Sequence, residues 1–275
     1  MPTPDLREIY HLALGAAEEA GRIHQDRLEF PRTIEAKSSP SDAVTEVDRA
    51  CEELIVSRIV AARPDDSIIG EEGADRVGNS GVRWFIDPLD GTVNYVYRRN
   101  DFSVSIGVEV NGVPSVGVVF DSTRNEMFSA IRGQGAWLNG EPIRVSPVTD
   151  LGMALTGSGF GYDPVARIYQ GKVLARIIGR VRDLRRGGSA ALELCGVACG
   201  RLEAYYEQGI REWDAMAGIV IIREAGGIVE RIEPPEVPTR ADGGGHVVVA
   251  GGTPEVYSAL RALVIQASAD ALADT

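Results

Sequence analysis

The sequence predicts a layered protein, with an α+β first half (residues 1–148) packed on an α/β second half (residues 149–275). Three observations carry this. Two helical stretches with apolar stripes open the chain. Between Val82 and Val145 apolar residues alternate with others around Asn-Gly turns, the pattern of an antiparallel meander. Beyond Thr149 short apolar strands alternate with helical periodicity, the grammar of an α/β unit.

Residues from about Pro4 to Leu28 read as a helix with Thr3 as N-cap and Pro4 in its first turn. Its stripe is Ile9, Leu12, Ala13, Ala16 and Ala20. Ile34–Lys37 leads into Ser38-Ser39-Pro40-Ser41-Asp42, a loop of turn formers. A second helix, Glu46 to Ala62, gathers Val47, Cys51, Leu54, Ile55, Ile59 and Val60 on one face. Ser67–Gly70 is a short apolar run that ends in Glu71-Glu72. Trp84-Phe85-Ile86 runs into Asp87, and the strand should end there. Pro88 fixes its own φ and biases the residue before it.

Val104, Ile106, Val108 and Val110 alternate before the Asn111-Gly112 hairpin turn. Val116–Phe120, Glu126–Ile131 and Trp137–Leu138 continue the meander to Asn139-Gly140. In the second half, strands are expected near 153–157, 181–184, 204–207, 227–231 and 246–249. Helices over 164–179, 190–200 and 254–269, and one beginning near Asp214, separate and close them. Pro234–Gly245 reads as a surface connector.

With 44% hydrophobic and 25% charged residues, the chain has apolar side chains enough for a sizeable core. A net charge of −12 argues against nucleic acid and anionic membrane surfaces as partners. An anionic substrate would be repelled as well, unless bound cations invert the local field. The first residues show no basic segment followed by an apolar one, and no run approaches the roughly 20 apolar residues of a membrane span. A cytoplasmic protein is expected. Cys51, Cys195 and Cys199 lie in helical patterns, as small buried hydrophobes of a reducing compartment do. His11, His24 and His246 are scattered and build no zinc pattern with them. That leaves oxygen chemistry.

Asp87-Pro88-Leu89-Asp90-Gly91-Thr92 sets two carboxylates three positions apart at the end of an apolar run. Asp, Pro and Gly are also the commonest turn formers, so the segment could be a plain turn. Its company decides between the two. Glu71-Glu72 ends another apolar run, and Trp213-Asp214 stands where a helical pattern begins, although an aspartate there could merely cap a helix. Together they make an all-oxygen set of the kind a two-metal phosphate-ester site uses.

On these residues the chain resembles the inositol monophosphatase family, the lithium-sensitive, Mg²⁺-dependent phosphatases, and within it the bacterial inositol-1-monophosphatases. The likeness runs from Lys37-Ser38-Ser39-Pro40 and Val44-Thr45-Glu46-Val47-Asp48 through Gly70-Glu71-Glu72 and the Asp87–Asn94 motif. It continues in Arg186-Gly187-Gly188-Ser189-Ala190-Ala191 and in Tyr206–Asp214. The resemblance implies a five-layered αβαβα sandwich of the inositol monophosphatase and fructose-1,6-bisphosphatase type, and a homodimer. It implies that Glu71, Asp87 and the Leu89 carbonyl hold one Mg²⁺, and that Asp87, Asp90 and Asp214 hold a second. A third, weaker ion would lean on Glu71.

Asp48 and the Thr92 hydroxyl, with Glu71, would form the catalytic set that orients and deprotonates the attacking water. Taken alone, Asp48 could be surface charge and Thr92 a helix N-cap. Phosphate would rest on the N–H groups of Gly91 and Thr92. Asp90, Ala190, Glu207 and Arg211 would contact the rest of the substrate, and Lys37 would sit on the neighbouring loop. The chain departs from the usual motif at Val93 and Tyr95, neither of them in the ligand set. Inositol-1-phosphate is the expected substrate. Fructose 1,6-bisphosphate, histidinol phosphate and 3′-phosphonucleotides remain as alternatives within the same chemistry. An idle metal-loaded scaffold is the alternative outside it.

Overall fold

Apolar periodicity settles where the first two helices lie. Helix α1 (Leu6–Arg27) buries Ile9, Ala13, Ala16, Ala17 and Ala20, and α2 (Glu46–Ala62) buries Val47, Cys51, Ile55 and Ile59. The computed structural model describes residues 4–29, 34–36, 43–233 and 246–274. Lys37, the 38–42 loop and the 234–245 connector of the sequence reading lie outside the described residues. A small antiparallel ribbon of β1 (Ile34–Ala36) and β2 (Ala43–Thr45) leads into α2.

Both helices cover one face of a seven-stranded sheet. Its order is β3 (Ser67–Gly70), β4 (Val82–Asp90), β5 (Ser103–Val110), β6 (Val113–Asp121), β7 (Glu126–Ile131), β8 (Gly135–Leu138) and β9 (Glu141–Pro142). From β4 to β9 it is the expected antiparallel meander, and β3 adds to its edge in parallel with β4. A one-turn helix α3 (Thr92–Val96) follows β4.

The second sheet runs β11 (Asp183–Arg185), β10 (Leu155–Ser158), β12 (Ala204–Gln208), β14 (Val247–Gly251), β13 (Ile228–Ile232). Helices α5 (Ala190–Ala198) and α6 (Glu212–Glu224) pack between the two sheets. Helices α4 (Pro164–Ile177) and α7 (Pro254–Ala273) cover the outer face of the second. The result is the five-layered αβαβα sandwich. Each gap between layers has its own apolar cluster. Val104, Ile106 and Val108 meet α1 and α2. Val119 and Phe128 meet Leu194, Val220 and Ile221. Val247 and Val249 meet Val173, Leu260 and Val264. Alternation along the strands assigns each residue its gap.

Two paired glycines bring α6 down onto the first sheet. Gly107 and Gly117 face each other across β5 and β6. A Cβ on Gly107 would lie 2.5 Å from the Met216 side chain, and one on Gly117 would lie 2.3 Å from the Ala217 carbonyl oxygen. Ser105 adds a hydrogen bond to the Trp213 carbonyl at 3.1 Å. The first turn of α6, with Asp214, is thereby fixed against the strand that neighbours Asp87.

Two expectations and one alternative need correcting. The N-cap of α1 is Asp5, whose carboxylate accepts the Arg7 N–H at 2.8 Å, and Thr3 lies outside the described residues. Asp214 is not the N-cap of α6, a place Arg211 takes: it sits in the first turn, where its carboxylate accepts the Arg211 N–H at 2.6 Å as the N3 partner of a capping box. The third concerns Pro88. Strand β4 continues through it to Asp90. The ladder pairs Asp87 with Ser105 and Asp90 with Ser103, so β4 carries one extra residue there. In such a bulge proline is tolerated, because no ladder N–H is required of it. Elsewhere element ends differ by a few residues; α5, for example, stops at Ala198. Among the described residues no helix is long and apolar enough to cross a membrane.

Candidate active site

A cleft of about 660 Å³ opens where the two halves meet. From the first half it is lined by Glu71, Asp87, Leu89, Asp90, Gly91 and Thr92. From the second it is lined by Ala190, Glu207, Arg211 and Asp214, with Arg186, Ser189 and Glu193 beside them. Every residue expected at the site is therefore on its wall except Asp48, which stands behind Thr92, and Lys37. The β4 bulge presents Asp87, Leu89 and Asp90. Glu71 follows β3 directly, its N–H bonded to the Ile86 carbonyl at 3.1 Å.

Asp48 is not surface charge. It is fully buried in the first turn of α2, where its carboxylate accepts the Thr45 N–H at 2.8 Å and the Thr45 hydroxyl at 2.6 Å. This is half of a capping box. Thr92 is no N-cap either. Gly91 takes that place, and the Thr92 hydroxyl lies 3.0 Å from both Asp48 Oδ1 and the Leu89 carbonyl. Gly91 has φ 91°, and a Cβ there would lie 2.7 Å from the Asp101 carbonyl oxygen. A left-handed backbone and a crowded neighbour both call for glycine.

Asp90 ties the halves together. Its carboxylate accepts the Ser189 hydroxyl at 2.6 Å, the Ala191 N–H at 2.8 Å and the Ala190 N–H at 3.3 Å. Asp87 accepts the Leu89 N–H at 3.0 Å. Glu207 is half-buried on β12 and accepts the Tyr205 hydroxyl.

The electrostatics point one way. Burial, then the negative charges of Glu71, Asp90 and Asp214, push the Asp87 carboxyl well above its usual range. Asp214 is raised by burial and by Asp90 and Glu71. Asp90 is pushed up to about 6 by burial, against the hydrogen bonds from Ser189 and Ala191. Among the described residues no three acidic, histidine or cysteine side chains close around one point as a finished metal cage. The ligand set expected from the sequence is thus gathered in one cleft without being drawn together. Carboxylates that repel one another in a buried cleft ionise together only beside a compensating cation. An all-oxygen donor set suits a hard divalent one. The residues fit such an ion.

Several supporting groups carry no signal in the sequence. His24 of α1 is fully buried. Its Nε2–H donates to the Pro88 carbonyl at 2.9 Å, leaving Nδ1 to accept from the Ser122 hydroxyl at 3.2 Å. Burial lowers its pKa to about 4, so it is neutral at pH 7. It bonds a carbonyl of the β4 bulge, where the register with β5 shifts. Glu193 is equally unmarked, and Ser189 is singled out by no property of its own. Only the Arg186–Ala191 run, noted for its resemblance, pointed to that loop.

Glu193 gives a pH test. Its carboxylate accepts the Gly187 N–H at 2.6 Å, and burial pushes its pKa to about 7 from an ordinary 4.5. Below 4.5 the folded and unfolded chains both hold the proton. Between 4.5 and about 7 the unfolded chain releases it first, so this group's contribution to stability falls as pH rises, then levels off. Glu193→Gln keeps an acceptor for Gly187 and does not titrate. In thermal melts of metal-free protein, its Tm should gain on wild type across that window and then run parallel. A Tm difference independent of pH contradicts the assignment.

Comparison with known proteins identifies the family and agrees with the fold. The profile of the inositol monophosphatase family matches residues 5–270. The inositol-1-monophosphatase SuhB of Mycobacterium tuberculosis is 45% identical over 240 residues, 83% of this chain and 81% of that protein. The Nus factor SuhB of Escherichia coli is 38% identical over 275 residues, 97% of this chain and 99% of that one. The solved inositol monophosphatase of Anabaena superposes with a TM-score of 0.79 at 34% identity, covering 96% of this chain and 97% of its own.

Proposed function

Because the chain belongs to the inositol monophosphatase family, whose activity is metal-dependent phosphomonoester hydrolysis, we propose that this cleft cleaves inositol-1-phosphate with two or three Mg²⁺ ions. The observation that carries the reading is the gathering of Glu71, Asp87, Asp90 and Asp214 in one cleft beside Gly91 and Thr92. With the Leu89 carbonyl, these four acids would hold the ions. A divalent ion there supplies positive charge for phosphate oxygens and acidifies water.

The chain's own groups do the rest. The Thr92 hydroxyl, donating toward Asp48, turns its lone pairs to a water in the cleft and passes the proton inward. Asp48, held by Thr45 and raised to about 6 by burial, accepts it near neutral pH. The N–H groups of Gly91 and Thr92 begin a helical turn, where donors have no intrahelical acceptor and can bind phosphate oxygens. Glu207 holds one oxygen on the Tyr205 hydroxyl and keeps capacity to accept from a ring hydroxyl. When ionised it disfavours a second phosphate at that wall. Burial raises its pKa to about 7, however, and Arg211, a good phosphate partner, lines the same cleft, so the bisphosphate alternative stays second rather than dismissed.

A panel of phosphate monoesters ranked by kcat/KM tests the reading, with inositol-1-phosphate expected first. Glu207→Gln should cost about 1.5–3 kcal/mol for that ester, one to two decades in kcat/KM, the worth of a hydrogen bond to a charged group. Glycerol-2-phosphate, without ring hydroxyls, should lose much less. Equal losses on both esters remove Glu207 from the substrate site.

A further inference from the structure

Glu52 is a buried carboxylate that the chemistry above does not use. It follows Asp48 by four residues, so the two lie on the same face of α2. Its side chain is gathered under the turn after β3. There Oε1 accepts the Glu72 N–H at 2.9 Å and Oε2 accepts the Ala74 N–H at 3.2 Å. Glu71 is consequently held from both directions: its own N–H is bonded to Ile86 of β4, and the N–H that follows it is bonded to Glu52. Access for the carboxylate depends on Gly70, where a Cβ would lie 2.2 Å from Glu52 Oε1. Glu52 is only 5% exposed and takes part in no ion pair among the described residues. The nearby charges of Glu71 and Glu72 repel it. A third negative charge beside an acidic turn is an unfavourable way to fill space, and its evident work is to grip the two amides.

We propose that Glu52 is a positioning residue: by holding the backbone that follows Glu71, it sets that carboxylate toward the cleft and so sets the cleft's affinity for Mg²⁺. The inference rests on Glu71 being a metal ligand. Groups behind a metal ligand, when removed, typically weaken binding by about 10–100-fold. Glu52→Gln retains one acceptor oxygen but turns an amide donor toward the second N–H. Glu52→Asp keeps the charge and loses one methylene of reach, so that it separates grip from field.

The test is calorimetric titration of Mg²⁺ into the full metal-free chain for wild type, Glu52→Gln, Glu52→Asp and Glu71→Gln, with thermal melts alongside. Both Glu52 variants should raise the Mg²⁺ Kd about tenfold or more. At saturating Mg²⁺ their kcat should return to within a few-fold of wild type, since Glu52 touches no reacting atom. A lowered Tm with unchanged Kd makes Glu52 merely structural and overturns the proposal. So does a wild-type Kd in Glu52→Asp, which would leave only the charge at work. An unchanged Kd in Glu71→Gln would instead refute the ligand assignment beneath it. Should Glu52→Gln not fold, Glu52→Asp decides alone.

Discussion

Asp87→Asn is expected to lower phosphate release by about a thousandfold or more while the protein stays folded. Bound ions contribute several kcal/mol of charge stabilisation, and each ~1.36 kcal/mol is one decade in rate. Asp87 is the acid proposed to bridge the two ions, and the negative charges of Glu71, Asp90 and Asp214 all act on it. Folding should survive for two reasons. The asparagine carbonyl can still accept the Leu89 N–H, and removal of one negative charge relieves repulsion among the remaining acids. The metal-free variant should melt no lower than metal-free wild type and gain little from Mg²⁺. A variant that keeps a tenth of wild-type turnover, or that unfolds, contradicts this role.

Asp48→Asn should carry the next largest effect, a loss of about 10²–10⁴ in kcat, the usual worth of a positioned proton acceptor. Its structural share is separable. Asp48 closes the capping box of α2, and loss of a cap costs about 1 kcal/mol, which an asparagine oxygen at the Thr45 N–H partly offsets. Thr92→Val tests the same path from the cleft side, because it removes the hydroxyl bonded to Asp48 while preserving shape. Both variants should bind Mg²⁺ and substrate nearly as wild type does, since neither removes a carboxylate proposed to hold metal. If Asp48→Asn lowers Tm by several degrees yet leaves kcat within threefold, Asp48 is a cap and nothing more.

The layers were readable from the sequence because periods of two and 3.6 are local properties. Val104 to Val110 and the stripe of α1 announce their elements without knowledge of partners. The acids of the cleft were readable for a different reason: Glu71, Asp87 and Asp90 stand at the ends of apolar runs, where a carboxylate meets a buried layer, and Asp214 stands where a helical pattern begins. What escaped is non-local. The bond from His24 to Pro88 spans 64 residues, and that from Thr92 to Asp48, a pair that only the resemblance named, spans 44. Neither leaves a mark on its own neighbourhood. Pro88 misled for a related reason. Its ring forbids a ladder N–H, but a bulge asks for none, and the bulge exists only because β5 lies alongside. Glu52, likewise, looks like any helical glutamate until the turn after β3 is folded over it.

The most direct measurement of the central claim is phosphate release from inositol-1-phosphate by metal-stripped protein, titrated with Mg²⁺ and then with excess chelator. Turnover should be absent without metal, rise to saturation with millimolar Mg²⁺ and vanish again in chelator. Asp87→Asn, run in parallel, should stay flat throughout. Turnover that persists in excess chelator, or that Mg²⁺ restores equally in Asp87→Asn, would contradict a reaction carried by metal ions held between these carboxylates.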